Sequence, residues 1–172
     1  MLPYVLSVFG TVFCAAAILV KGKKMQLILL LVTIGNLLAG VSYLITPNGI
    51  NGAVSCFLGA GITLLNWLWE KQEKDIPRWL TVVYALLFTA VNVLVSPCVH
   101  IATVFVIGAA LCFVLSTVQK SGKMFRIYTF ANGICWILYD LLSASYQGLI
   151  IHVTVFLITA IGMLIHDRKT KA

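Results

Sequence analysis

The twelve Lys and Arg residues of this chain fall in every second gap between its apolar runs, and the alternate gaps hold none. The runs cover about 4–20, 25–45, 50–69, 79–96, 99–118, 125–144 and 149–166. Lys21, Lys23 and Lys24 follow the first run, and Lys71, Lys74 and Arg78 follow the third. Lys120, Lys123 and Arg126 follow the fifth, and Arg168, Lys169 and Lys171 follow the last. The gaps at Thr46–Gly49, Pro97–Cys98 and Ser145–Gly148 carry neither residue type. Short basic loops stay on the cytoplasmic side of a membrane. The pattern therefore predicts seven transmembrane helices, with the amino terminus outside and the carboxyl terminus in the cytoplasm.

Run length agrees with that reading. Each run is close to the ~20 residues that an α-helix needs to cross ~30 Å of hydrocarbon. A mean hydropathy of +1.04 with only 10% charged residues excludes an ordinary soluble domain. The ~10-residue alternating segments of a transmembrane barrel are absent. A pI of about 9.3 could suggest nucleic acid as a partner. The positive charge is instead divided among four helix-end clusters, as topology alone requires, so no nucleic acid is expected. The first run lacks a basic segment ahead of it and has its basic residues after it, the order of a signal anchor that is retained.

The five cysteines make no disulfide framework. Cys14, Cys56, Cys112 and Cys135 lie inside runs, Cys98 lies in an outer loop, and no CxxC occurs. They read as small packing residues. No Ser/His/Asp set, HExxH, P-loop or metal-ligand cluster appears, so neither an enzyme nor a metal or cofactor is expected. His152 and His166 stand about 21 Å apart along one helix, too far to share a metal.

The chain also reads as a duplication around a lone fourth helix. Gly10 and Cys14 match Gly108 and Cys112, Lys24-Met25 matches Lys123-Met124, and the turn residue Gly49 matches Gly148. A first triplet over 1–69 and a second over 98–166, joined by a linker helix at 79–96, gives a single membrane domain ending in a short cytoplasmic tail, 167–172. Three spans on either side of an odd helix give parallel repeats related by an axis along the membrane normal. This 3+1+3 plan resembles the SWEET and PQ-loop transporters and the PnuC-type vitamin carriers. It departs from the PQ-loop proteins in lacking a mid-helix proline, because Pro3, Pro47, Pro77 and Pro97 all lie at helix ends. Gly10, Gly40, Gly108 and Gly133 are the alternative hinges.

Lys23-Lys24-x-Gln26, Cys135-Trp136-Ile137-x-Tyr139-Asp140 and the turn Ser145 to Gly148 together resemble the YgjV-type bacterial inner membrane proteins. That resemblance implies the fold and the bacterial cytoplasmic membrane, but no particular substrate.

The sixth run carries the most chemistry. Asn132, Trp136, Tyr139 and Asp140 fall on one face of a helix. An ionised carboxylate at mid-membrane costs ~2.5–3.5 kcal/mol, so Asp140 should face the bundle interior or water. His152 stands at similar depth on the next, antiparallel helix, roughly 9 Å inside the outer turn. The couple reads either as a gate or proton-linked element, or as a hydrogen bond that pins the sixth helix to the seventh. Asn36, Gly40 and Tyr43 repeat the stripe faintly on the second run, and the Asn-x6-Tyr spacing recurs as Asn132 to Tyr139. Asn51, Ser55, Gly59 and Thr63, with Asn66 beyond, form a small-residue stripe suited to close helix packing, and Asn92 reads as a lone amide that joins helices. Trp67, Trp69 and Trp79 flank the charged segment Glu70–Arg78 as interfacial anchors.

The sequence thus predicts an alternating-access transporter of a small neutral or weakly charged solute. Asn36, Asn132, Trp136 and Tyr139 are expected to bind the solute, and Asp140 and His152 to gate it or couple it to protons. Membrane lipid is the surrounding partner, and homo-oligomerisation is compatible with the sequence. The rival is a non-transporting accessory or assembly protein whose polar stripes only join helices. A polar cavity at mid-membrane separates the two.

Overall fold

The computed structural model describes residues 2–21, 24–45, 50–95, 100–144 and 146–167, with the main chain alone at Asn51, His100 and Gln147. The outer gaps Thr46–Gly49 and Pro97–Cys98, together with Lys23, Ser145, Arg168, Lys169 and Lys171, lie outside the described residues. Those residues form seven α-helices: α1 (Leu2–Leu19), α2 (Met25–Leu44), α3 (Ile50–Lys71), α4 (Arg78–Val95), α5 (His100–Thr117), α6 (Gly122–Leu142) and α7 (Tyr146–His166). Among the described residues there is no strand.

Five helices (α1, α2, α3, α4 and α7) are long and apolar enough to cross a membrane. The apolar part of α5 is shorter, Ile101–Thr117. The polar stripe and Arg126 make α6 the least apolar of the set. Large apolar side chains such as Leu86, Leu94 and Ile150 are exposed on the outside of the bundle. A water-soluble monomer rarely presents so much apolar surface, and hydrocarbon is its natural solvent.

In each triplet the middle helix packs against both of its neighbours: α2 lies on α1 and α3, and α6 lies on α5 and α7. α4 rests on α5 and α3, and α1 meets α7, so the bundle closes. In hydrocarbon, close backbone approach and interhelical hydrogen bonds replace the hydrophobic effect as the force between helices. Both are present. Thr33 Oγ1 donates to Thr63 Oγ1 at 2.8 Å, joining α2 to α3. Asn66 Nδ2 reaches the carbonyl of Thr117 at 3.2 Å, joining α3 to α5. Ser55 donates to Asn92, fixing α4 on α3. The small-residue stripe and the lone amide of α4 therefore bond between helices as the sequence suggests.

The tightest crossing is between α1 and α2. A methyl group on Gly10 would stand 2.9 Å from the carbonyl oxygen of Gly35 and 3.1 Å from the amide nitrogen of Ala39, both backbone atoms that cannot step aside. Gly10→Ala should therefore push the helices apart and cost about 1–3 kcal/mol, measured as reversible unfolding in bicelles. Gly61, which has nothing within 4 Å of that position, is the control. Gly61→Ala should leave stability unchanged or raise it by up to about 1 kcal/mol. Equal losses at both sites would contradict the packing. Gly108 plays a related part in the second triplet, where its added methyl would meet the Cys135 sulfur of α6.

One expectation is corrected. Gly148 is not the turn residue of the last hairpin: it lies in the first turn of α7, and the left-handed backbone falls at Ala144, φ 52°. The segment between α3 and α4 is exposed over 71–75, with Glu70 in the last turn of α3, Arg78 at the start of α4, and both Glu70 and Asp75 bonded to Lys120.

Candidate functional site

A cavity of about 180 Å³ lies within the bundle, walled by side chains from both triplets and from α4. α2 contributes Asn36 and Tyr43, α6 contributes Asn132 and Trp136, and α7 contributes His152. Phe88 of α4 and Phe113 of α5 stack at 5.1 Å between ring centres and form an aromatic side of the wall. Four of the six residues singled out in the sequence, Asn36, Asn132, Trp136 and His152, share this cavity. Tyr139 and Asp140 stand behind it.

The two amides are held differently. Asn36 Nδ2 donates to the carbonyl of Val32 in its own helix at 3.0 Å. Asn132 Nδ2 crosses to the carbonyl of Ala109 in α5 at 2.7 Å, so it also joins α6 to α5. Neither amide oxygen accepts a hydrogen bond among the described residues.

Asp140 and His152 meet as the antiparallel hairpin predicts. His152 Nδ1 stands 2.6 Å from Asp140 Oδ2, with the carboxylate side chain 4% exposed. The His152 ring lies parallel to Trp136, 5.2 Å between centres, and Tyr139 approaches Trp136 edge-on at 5.4 Å. His152 and Trp136 thus stand side by side in the cavity wall, with Asp140 behind His152. One face of the indole is already covered by the imidazole.

Sequence reasoning missed the most buried cation among the described residues. Arg126 reads as one more loop charge, yet it is 3% exposed within α6. Its Nη2 and Nε reach Asp167 Oδ1 and Oδ2 at 2.6 and 3.1 Å, a two-pronged pair. Its Nη1 reaches the carbonyls of Ile18 and Val20 at 3.4 and 3.3 Å. Those carbonyls are left without helical partners where α1 ends, and a guanidinium supplies both hydrogen bonds and favourable charge there. The clue in the sequence was Asp167, an acid set beside a basic cluster, opposite in sign to what topology asks.

Lys120 makes a second tie at the same end, bonding Glu70 at 3.3 Å and Asp75 at 3.1 Å. Partial desolvation pulls its pKa down, but the hydrogen bonds to Asp75 and Glu70, with their charges, more than offset this and hold the ammonium above its ordinary value. Among the described residues no group of three or more His, Cys, Asp or Glu is placed to hold a metal.

No protein-family model, curated protein or solved structure matches this chain. The helices themselves define its class, a multi-pass α-helical membrane protein.

Proposed function

We propose that the protein is a small-solute transporter of the bacterial cytoplasmic membrane, working by alternating access between two parallel three-helix repeats linked by α4. All seven helices span, with the amino terminus outside, and the basic end of the bundle is the cytoplasmic end. The observation that carries this reading is the cavity, where amides from corresponding helices of the two halves, Asn36 and Asn132, line one space. Duplicated transporters place their substrates at such a repeat interface. A pocket with a few polar groups on an aromatic and apolar wall is the usual form of a solute site.

The ties across the halves support a gating cycle. Asn66–Thr117, Lys120–Glu70 and the bonds from Arg126 to Ile18 and Val20 gather at the basic end. In this reading they are the closed cytoplasmic gate, and Asp140–His152 is an element of the outer gate. The motifs shared with YgjV-type proteins and the 3+1+3 plan of SWEET-like carriers support the same assignment. The accessory-protein alternative draws on the interhelical bonds of Thr33, Asn66 and Asn92, but a bundle made only to join helices has no need of a cavity at its centre.

Thiol labelling tests the proposal without knowledge of the solute. With the native cysteines replaced, Asn36→Cys in oriented, sealed vesicles should react with an impermeant reagent added outside. Adding Lys120→Ala, which loosens the cytoplasmic tie at an exposed site, should open the same position to reagent from the cytoplasmic side. Protection from both sides in both proteins would overturn alternating access.

A further inference from the structure

We infer that the cavity selects a small organic amine, and this rests on the transport reading above. The argument begins with the protons of the wall. Thr11, Ser116 and Thr129 each donate their hydroxyl proton to a carbonyl of their own helix, at 2.9, 2.7 and 2.8 Å. Their oxygens keep lone pairs but have no proton left to give. Asn36 and Asn132 each commit an amide proton to a backbone carbonyl and keep an unpartnered amide oxygen. These oxygens offer a set of acceptors to a solute that brings donors, beside the second N–H that each amide retains.

Charge points the same way. Among the described residues no Lys or Arg lines the cavity. Arg126, the one buried guanidinium among the described residues, is already neutralised by Asp167 at 2.6 Å. A carboxylate or phosphate entering this space would lose its hydration with no cation to meet it, a cost of many kcal/mol in a low-dielectric site. An ammonium group meets amide and hydroxyl oxygens, and aromatic rings of Tyr43, Phe113, Phe125 and Trp136 line the same wall. A cation against an aromatic face is stabilised by about 0.5–2 kcal/mol. The volume, about 180 Å³, lies below the range of drug-sized pockets and admits only a small molecule.

Three compounds of one size and different polarity test this: benzylamine, benzyl alcohol and benzoate. Binding is measured by calorimetry on the purified full-length protein in nanodiscs. Benzylamine should bind at least about tenfold more tightly than benzoate, with benzyl alcohol between them. Asn36→Leu, which removes one free acceptor and only a bond within its own helix, should weaken benzylamine severalfold while the protein keeps its unfolding temperature. Benzoate binding as tightly as benzylamine, or binding of none of the three, would overturn the inference. The transport reading is judged separately, by thiol access to the cavity, and survives if that access alternates.

Discussion

Replacing Asp167 by Ala should cost the folded protein about 3–5 kcal/mol, the size expected when a buried ion pair loses one partner. The guanidinium of Arg126 would stay inside the bundle with the carbonyls of Ile18 and Val20 as acceptors but no counter-charge. Those carbonyls satisfy hydrogen bonds and leave the charge uncompensated. Replacing both residues by Leu should do less damage than Asp167→Ala alone, because no charge is then stranded. Equilibrium unfolding in bicelles measures both. A loss below about 0.5 kcal/mol for Asp167→Ala would show that water reaches the guanidinium and that the clamp is superficial.

The second large effect belongs to Asp140 and His152. Either Ala substitution leaves its partner buried without its bond, at about 1–3 kcal/mol. His152→Ala also removes the ring stacked on Trp136, worth a further ~0.5–1.5 kcal/mol, so it should be the costlier of the two. Because both changes delete one shared interaction, the double variant should fall short of the summed losses by about 0.5–3 kcal/mol. Strict additivity in a double-mutant cycle would mean that the bond at 2.6 Å contributes nothing. In the transport reading the same variants should also change the rate of cavity labelling from outside, and in a purely structural role they should not.

The legible part of this protein was what the membrane dictates. Helix number and boundaries followed from apolar run length, since a bilayer allows few other solutions for a buried backbone. The pairing of Asp140 with His152 followed from hairpin geometry, because an antiparallel neighbour fixes depth. Asn36 and Asn132 could be placed together only by assuming a duplication, and the shared cavity is where they meet. Arg126 was illegible for a physical reason. A guanidinium on a long stem can snorkel to water or fold inward, and its choice was set by α1 and α7, remote in sequence. The turn residue was misplaced for a similar reason: glycine suits a left-handed position best, yet Ala144 occupies it while Gly148 continues the helix.

The clamp at Arg126 also orders events in time. Ile18 and Val20 precede Arg126 by 108 and 106 residues, and Asp167 follows it by 41. As the chain is made, the end of α1 waits for five further helices before its carbonyls find their donor. The donor in turn waits for the end of α7 before its charge is matched. Contacts so distant along a chain are slow to form. α1 can pack on α2 as soon as that helix is made, yet its carboxyl-terminal carbonyls are among the last groups of the bundle to be satisfied.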